Sequence, residues 1–252
     1  MRRIENKLVY DTLDEIVAPE RTALIVVDMQ NEFCSPDGIP GKNGTNVKPV
    51  KAIVPTLQRL LQTARSTSVR VVYLRHTHEP DLSNLSPARL SFYAMLYGGS
   101  ITPYHAIRGT WGHKIVPELT PEEGEIVINK DRSSGFFATN LNLLLRSNGI
   151  ESVVLSGMAT HACVESTARD AGFFDYYVVV VKDGVADYSR KLHQASLLTM
   201  SNRCNMATSE NIVAAWKRAA SRRARQSRRN RVTVGSRSKG GARGRRAAST
   251  AE

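Results

Sequence analysis

Short runs of β-branched and aliphatic residues recur between Thr22 and Trp216, separated by longer stretches with helical patterning, and this alternation restricts the fold more than any other feature. The strand candidates are Ala23–Val27, Val69–Leu74, Glu125–Ile128, Ser152–Leu155 and Tyr177–Val181, with a weaker sixth at Cys204–Ala207. Runs that are continuously apolar, rather than alternating, suit strands buried on both faces of a parallel sheet. Helical candidates lie at Val50–Thr67, Asn140–Ser147, Val164–Phe173, Ser189–Met200 and Ser209–Ala220, and Asn148-Gly149 carries a helix-stop signal. The pattern predicts an α/β chain, a three-layer α/β/α sandwich around a mostly parallel sheet of about six strands, forming one domain over residues 1–216. Such sheets bind ligands at the carboxyl ends of their strands.

Two segments depart from the pattern. Residues 76–118 form a long irregular insert containing Pro80, Pro87, Gly98-Gly99, Pro103 and Gly112, read as a binding lid, an oligomer contact or both. Residues 217–252 hold 13 Lys+Arg and one acid, which is the entire formal net charge of +12, because residues 1–216 hold 22 bases and 22 acids. The pI therefore describes the tail and not the domain. Poor in large apolar residues, the tail cannot offset its ordering entropy, so disorder is expected from Lys217 onward. Its clusters Arg222-Arg223-Ala224-Arg225, Arg228-Arg229-Asn230-Arg231 and Arg243-Gly244-Arg245-Arg246 suit phosphate binding without sequence preference, and no aromatic residue among them would stack on bases. A solvated appendage and a non-native extension are the plain alternatives, and the neutral balance of the body speaks for them.

With 41% hydrophobic residues, 17 Gly and 10 Pro, the chain is neither disordered throughout nor collagen-like. No apolar run approaches the roughly 18–20 residues of a membrane span, and Met1–Lys7 lacks the apolar stretch of a secretory signal, so a cytoplasmic protein without membrane contact is expected. Three scattered cysteines, Cys34, Cys163 and Cys204, build neither a disulfide framework nor a CxxC zinc site. Cys34 and Cys204 are expected to pack or to lie exposed, without a role.

Three polar residues stand where this architecture places active sites. Asp28 follows the run Thr22–Val27, Lys130 follows Glu125–Asn129, and Cys163 precedes the helix that begins at Val164. A helix N-terminus favours a thiolate. An acid, a base and a thiol at strand ends suit nucleophilic catalysis, although each alone also reads as a cap, a surface charge or a small buried hydrophobe.

The segments Asp28-Met29-Gln30-Asn31, Gly109-Thr110-Trp111, the Lys130 strand end, Ser134-Gly135-Phe136-Phe137 and Gly157-Met158-Ala159-Thr160-His161-Ala162-Cys163-Val164-Glu165-Ser166-Thr167 resemble the isochorismatase-like cysteine hydrolases, in order and spacing, over about residues 20–212. Within that superfamily, Gly135-Phe136-Phe137 and Cys163–Thr167 look closest to ureidoacrylate amidohydrolases, and His78-Glu79-Pro80-Asp81-Leu82 is more similar to biuret hydrolases. The resemblance implies hydrolysis of a C–N bond in a small amide or ureide through a covalent acyl-thioester. Asp28 is then the base, Lys130 stabilises its charged neighbours, Cys163 is the nucleophile, and the backbone N–H groups of Ala159 and Cys163 form the oxyanion hole. It also implies a cis peptide at Met158–Ala159, no cofactor, and a homo-oligomer, dimer or tetramer. Isochorismatase proper lacks the thiol, so Cys163 argues against that activity; maleamate, N-carbamoyl amino acids and nicotinamide are alternative substrates.

For substrate contacts, Phe33, Phe136 and Phe137 are candidates to wall a flat pocket, with core packing as the competing reading. Gln30, Asn31 and Asn202 are candidates to hydrogen-bond a ureide, with backbone capping as theirs. Arg75 and Arg132 would suit a substrate carboxylate. His76 and His78 alternate as zinc ligands on a strand do, but lack further ligands, so no metal is expected. His161, two residues before the thiol, either tunes it or points away.

Overall fold

The computed structural model describes residues 1–96 and 106–240. Its strands are β1 Arg2–Ile4, β2 Lys7–Val9, β3 Thr22–Val27, β4 Arg70–His76, β5 Ile126–Lys130, β6 Ser152–Met158, β7 Tyr177–Ala186 and β8 Asn205–Ala207. Its helices are α1 Leu13–Ile16, α2 Asn31–Cys34, α3 Ile39–Lys42, α4 Lys48–Ala52, α5 Val54–Thr67, α6 Pro87–Leu96, α7 Leu141–Ser147, α8 Glu165–Phe173, α9 Arg190–Ser201 and α10 Ser209–Gly240. β1 and β2 form a small antiparallel hairpin that the sequence patterning did not single out, and the other six strands form one parallel sheet in the order β5-β4-β3-β6-β7-β8.

The continuous apolar runs have a direct explanation. In β3, Leu24 and Val26 enter one core layer while Ala23, Ile25 and Val27 enter the other. β7 does the same, with Val179 and Val181 against Val178 and Val180. The first layer is closed by α5 through Leu57, Leu60, Leu61 and Ala64 and by α10 through Ile212, Val213 and Trp216. The second is closed by α7 through Leu141 and Leu145, by α8 through Ala168 and Ala171, and by α9 through Met200. The sandwich of three layers is as expected. The single helix expected over Val50–Thr67 is interrupted at Ile53, because Pro55 has no N–H to return to the preceding turn.

At the C-terminal end, α10 runs past residue 216. α10 continues to Gly240, so residues 217–240 are helical and the boundary placed at 216 falls inside a helix. The start of α10 is fixed in the core, where the Trp216 indole donates to the Val17 carbonyl at 2.9 Å, and a nucleated helix propagates readily through Ala and Arg. Arg218 and Arg222 pair with Asp14 at 2.5 and 3.4 Å, and Arg223 pairs with Glu20. The cluster Arg243–Arg246 and the insert residues Gly98, Gly99 and Pro103 lie outside the described residues. No helix among the described residues is long and apolar enough to cross a membrane.

Candidate active site

Strand order reverses between β3 and β6, which places a crevice at their carboxyl ends. β3 turns immediately after Val27. Asp28 has a φ of 50°, a left-handed conformation that Asp tolerates, while its N–H still donates to the Leu74 carbonyl at 2.9 Å. β6 makes room for that turn with Gly157, at φ 105°; a Cβ there would stand 2.2 Å from the Val27 carbonyl oxygen and 2.7 Å from its nitrogen.

Lys130 ends β5, two strands away from β3, with β4 between them. At about 4.8 Å per strand, only a long side chain crosses that distance. Its ammonium reaches Asp28 Oδ2 at 2.7 Å, Cys163 Sγ at 3.3 Å and the Arg132 carbonyl at 3.1 Å. Asp28 and Lys130 are both buried. Asp28 Oδ1, also buried, has no hydrogen-bond partner among the described residues. Cys163 follows β6 through a π-helical turn, Thr160–Val164, that leads into α8. Its position is tied to the Lys130 loop through Thr167, whose hydroxyl donates to the Cys163 carbonyl at 2.7 Å and accepts from the Gly135 N–H at 2.9 Å.

The ionic character of the three groups follows from this geometry. Burial pulls the Lys130 pKa down, but the charges of Asp28 and an ionised Cys163 outweigh it, so it lies above the ordinary lysine value. Burial pushes the Cys163 thiol up to about 12; the Lys130 ammonium draws it down and the Asp28 carboxylate pushes it back up. Cys34 is likewise pushed up to about 12, chiefly by burial and further by the charges of Glu118 and Asp28, and Cys204 is raised by burial as well.

The backbone around Ala159 completes the turn. The Met158–Ala159 peptide is cis, and the Ala159 carbonyl accepts from the N–H groups of Ala162 and Val164, both at 3.1 Å. Phe33, half-buried, sets its ring 6.2 Å from that of His76 at the end of β4.

The candidate substrate contacts are placed as follows. Gln30 is fully engaged with backbone, its Nε2 donating to the carbonyls of His76 and His113 at 3.0 and 3.1 Å and its Oε1 accepting from the His76 N–H at 2.8 Å. Phe136 is buried in the second core layer against Phe174 and Tyr176. Phe137 is 60% exposed on the surface, without a described contact to the site. Asn202 caps α9 ahead of β8, at the amino ends of the parallel strands and so opposite the crevice. Asn31, too, holds backbone, donating to the Trp111 carbonyl at 3.0 Å.

The remaining candidates have other partners. Arg75 Nε donates to Asn129 Oδ1 at 2.9 Å, and Arg132 Nη1 donates to the carbonyls of Asn84 and Asp131 at 3.2 and 2.8 Å. His161 is exposed and turned to Asp187, Nδ1 to Oδ2 2.5 Å. The Asp187 hydrogen bond raises its pKa above the usual histidine value against the opposing effect of burial. His76 and His78 set their Nε2 atoms 3.2 Å apart beneath the Tyr93 hydroxyl of α6. Among the described residues, no group of three or more His, Cys, Asp and Glu side chains is placed to hold a metal ion. Tyr93, Arg89 and Thr167 were not singled out in the sequence, although Arg89 and Tyr93 stand at i and i+4, as Cys163 and Thr167 do.

The isochorismatase domain profile matches residues 22–211, so the chain belongs to the isochorismatase family and is a hydrolase. Over 174 residues it is 35% identical to ureidoacrylate amidohydrolase RutB of Pantoea ananatis, which covers 66% of this chain and 69% of that relative. A crystal structure of a cysteine hydrolase from Pseudomonas syringae pv. phaseolicola is similar at TM-score 0.70 and 28% identity, over 80% of this chain and 94% of the other. N-carbamoylsarcosine amidase from Thermoplasma acidophilum is similar at TM-score 0.60 and 30% identity, over 75% and 96%.

Proposed function

We propose that this hydrolase is a cysteine-dependent amidohydrolase that cleaves a C–N bond of a small ureide or carbamoyl compound. One observation carries the reading: the Lys130 ammonium bridges Asp28 and Cys163, at 2.7 and 3.3 Å, where β3, β5 and β6 end. Asp28 Oδ1 accepts the thiol proton as Cys163 Sγ attacks the substrate carbonyl, and Lys130 steadies the developing thiolate. The N–H groups of Ala159 and Cys163 hold the oxyanion. Asp28 then passes its proton to the departing nitrogen, which leaves as ammonia or an amine with an acyl-thioester on Cys163. A water molecule, losing its proton to Asp28, attacks that carbonyl and releases the thiol.

The relatives support a ureide-type substrate, since one is named a ureidoacrylate amidohydrolase and another an N-carbamoylsarcosine amidase. Ammonia release from biuret, triuret, ureidoacrylate, N-carbamoyl amino acids, maleamate and nicotinamide identifies the substrate. With the best of these, the Cys163 peptide gains the acyl mass on rapid acid quench, and Cys163→Ser loses turnover. Sustained turnover by Cys163→Ser would overturn the proposal.

A further inference from the structure

The geometry points to Arg89 as the anchor for an acidic group on the substrate, so that the preferred ureide or amide carries a carboxylate held by α6 while Cys163 attacks its other end. This rests on the amidohydrolase reading above. α6 lies against the site through Tyr93, whose hydroxyl stands 3.1 Å from His78 Nε2 and 3.4 Å from His76 Nε2. His76 is the register partner of Lys130. Tyr93 is also within electrostatic reach of the triad: burial raises its pKa most, the Arg89 charge lowers it, and the charges of Cys163 and Lys130 act on it in opposite senses.

Arg89 sits one helical turn before Tyr93 on the same face. Its Nη2 donates to the Tyr93 hydroxyl at 3.2 Å, and its guanidinium carbon lies 4.7 Å from the Tyr93 ring centroid and 4.9 Å from that of Phe92. Stacking fixes the guanidinium plane but satisfies none of its in-plane N–H groups. Nε is buried and has no hydrogen-bond partner among the described residues, nor does any ion pair of those residues include Arg89. The contrast within the insert is direct. Arg108 is held by the Glu79 carboxylate, Nη2 to Oε1 at 2.6 Å and Nε to Oε2 at 2.8 Å.

A buried guanidinium N–H without an acceptor is costly to maintain. A planar carboxylate arriving beside Tyr93 meets Nε and a neighbouring Nη together, the two-point geometry for which arginine is suited. A neutral ureide such as biuret brings no group of that charge.

Paired substrates test the assignment: N-carbamoylglycine and N-carbamoyl-β-alanine, each against its neutral N-methylamide, with ammonia released from the carbamoyl end. The native enzyme favours the acid in kcat/KM. Arg89→Ala lowers that acid-to-amide ratio by roughly 10- to 100-fold, mainly through KM, and Arg89→Lys recovers part of it. A ratio equal in native enzyme and Arg89→Ala overturns the inference while leaving the amidohydrolase reading intact. Should no ureide release ammonia, that reading fails, and calorimetric binding of the two acids to Cys163→Ser still decides the role of Arg89: an affinity unchanged by adding Arg89→Ala overturns it.

Discussion

Replacing Asp28 with Asn separates the two roles of the carboxylate, because it should abolish turnover while making Cys163 more reactive toward a simple alkylating agent. In the native site the carboxylate opposes ionisation of the thiol and the ammonium favours it. Asp28 Oδ2 and Cys163 Sγ lie on either side of Lys130 Nζ, at 2.7 and 3.3 Å, so they are no more than about 6 Å apart. Unit charges about 6 Å apart at an effective dielectric constant of about 20 interact by about 2.8 kcal/mol, or about two pKa units. The substitution therefore raises the thiolate population near pH 8 about 100-fold. Because a less basic thiolate is a weaker nucleophile, the gain in iodoacetamide rate is nearer tenfold. The assay is pseudo-first-order alkylation, with the Cys163 peptide quantified by mass and ammonia release followed in parallel. Alkylation that slows together with turnover would refute the reasoning, since it would mean that Asp28 promotes rather than opposes thiolate formation in the free enzyme.

Lys130→Met leaves the buried Asp28 carboxylate without its partner, at a cost of about 3–5 kcal/mol, and the melting temperature should fall by about 10 °C; adding Asp28→Asn should recover most of it, and a single variant as stable as native protein would contradict the buried pair. Gly157→Ala drives a Cβ into the Val27 backbone at a positive φ, so urea denaturation should show a loss of about 3 kcal/mol, whereas native-like stability would show that the turn at Asp28 yields freely. His161 has a folded pKa above its ordinary value, so its contribution is complete below about pH 6.5 and is lost as pH rises through the folded value. The melting-temperature gap between native protein and His161→Gln should thus be larger at pH 6 than at pH 9; a gap that widens with pH would have the wrong sign.

Much of the fold was readable because a strand buried on both faces needs apolar residues at every position, and only a sheet covered on both sides imposes that demand. The same logic drew attention to Asp28, directly after β3, and to Lys130, which follows Asn129 at the end of β5. Composition alone does not mark the length of α10. Residues 217–240 have no core of their own, yet Trp216 and its neighbours anchor a helix that the following Ala and Arg residues prolong, and Asp14 and Glu20 meet the first arginines beyond the core. The surroundings of the candidate substrate contacts were not legible, for different reasons. Gln30 would read the same whether it faced a ligand or the returning backbone at His113, and Phe136 and Phe137 differ only in which way one loop turns. Asn202 was excludable without coordinates: it precedes β8, and in an all-parallel sheet that puts it at the wrong end.

The arrangement also explains why the lysine comes from the far edge of the sheet and not from β4, the strand beside Asp28. The end of β4 is occupied by His76 and His78, which meet Tyr93 from α6. An ammonium placed there would remove the wall that receives α6, whereas one reaching over from β5 leaves it in place. On this reading the reacting groups belong to β3, β5 and β6, and discrimination among substrates belongs to β4 and α6. Changes in α6 can then retune which amide is accepted without altering the 2.7 and 3.3 Å contacts that set the ionisation of the thiol.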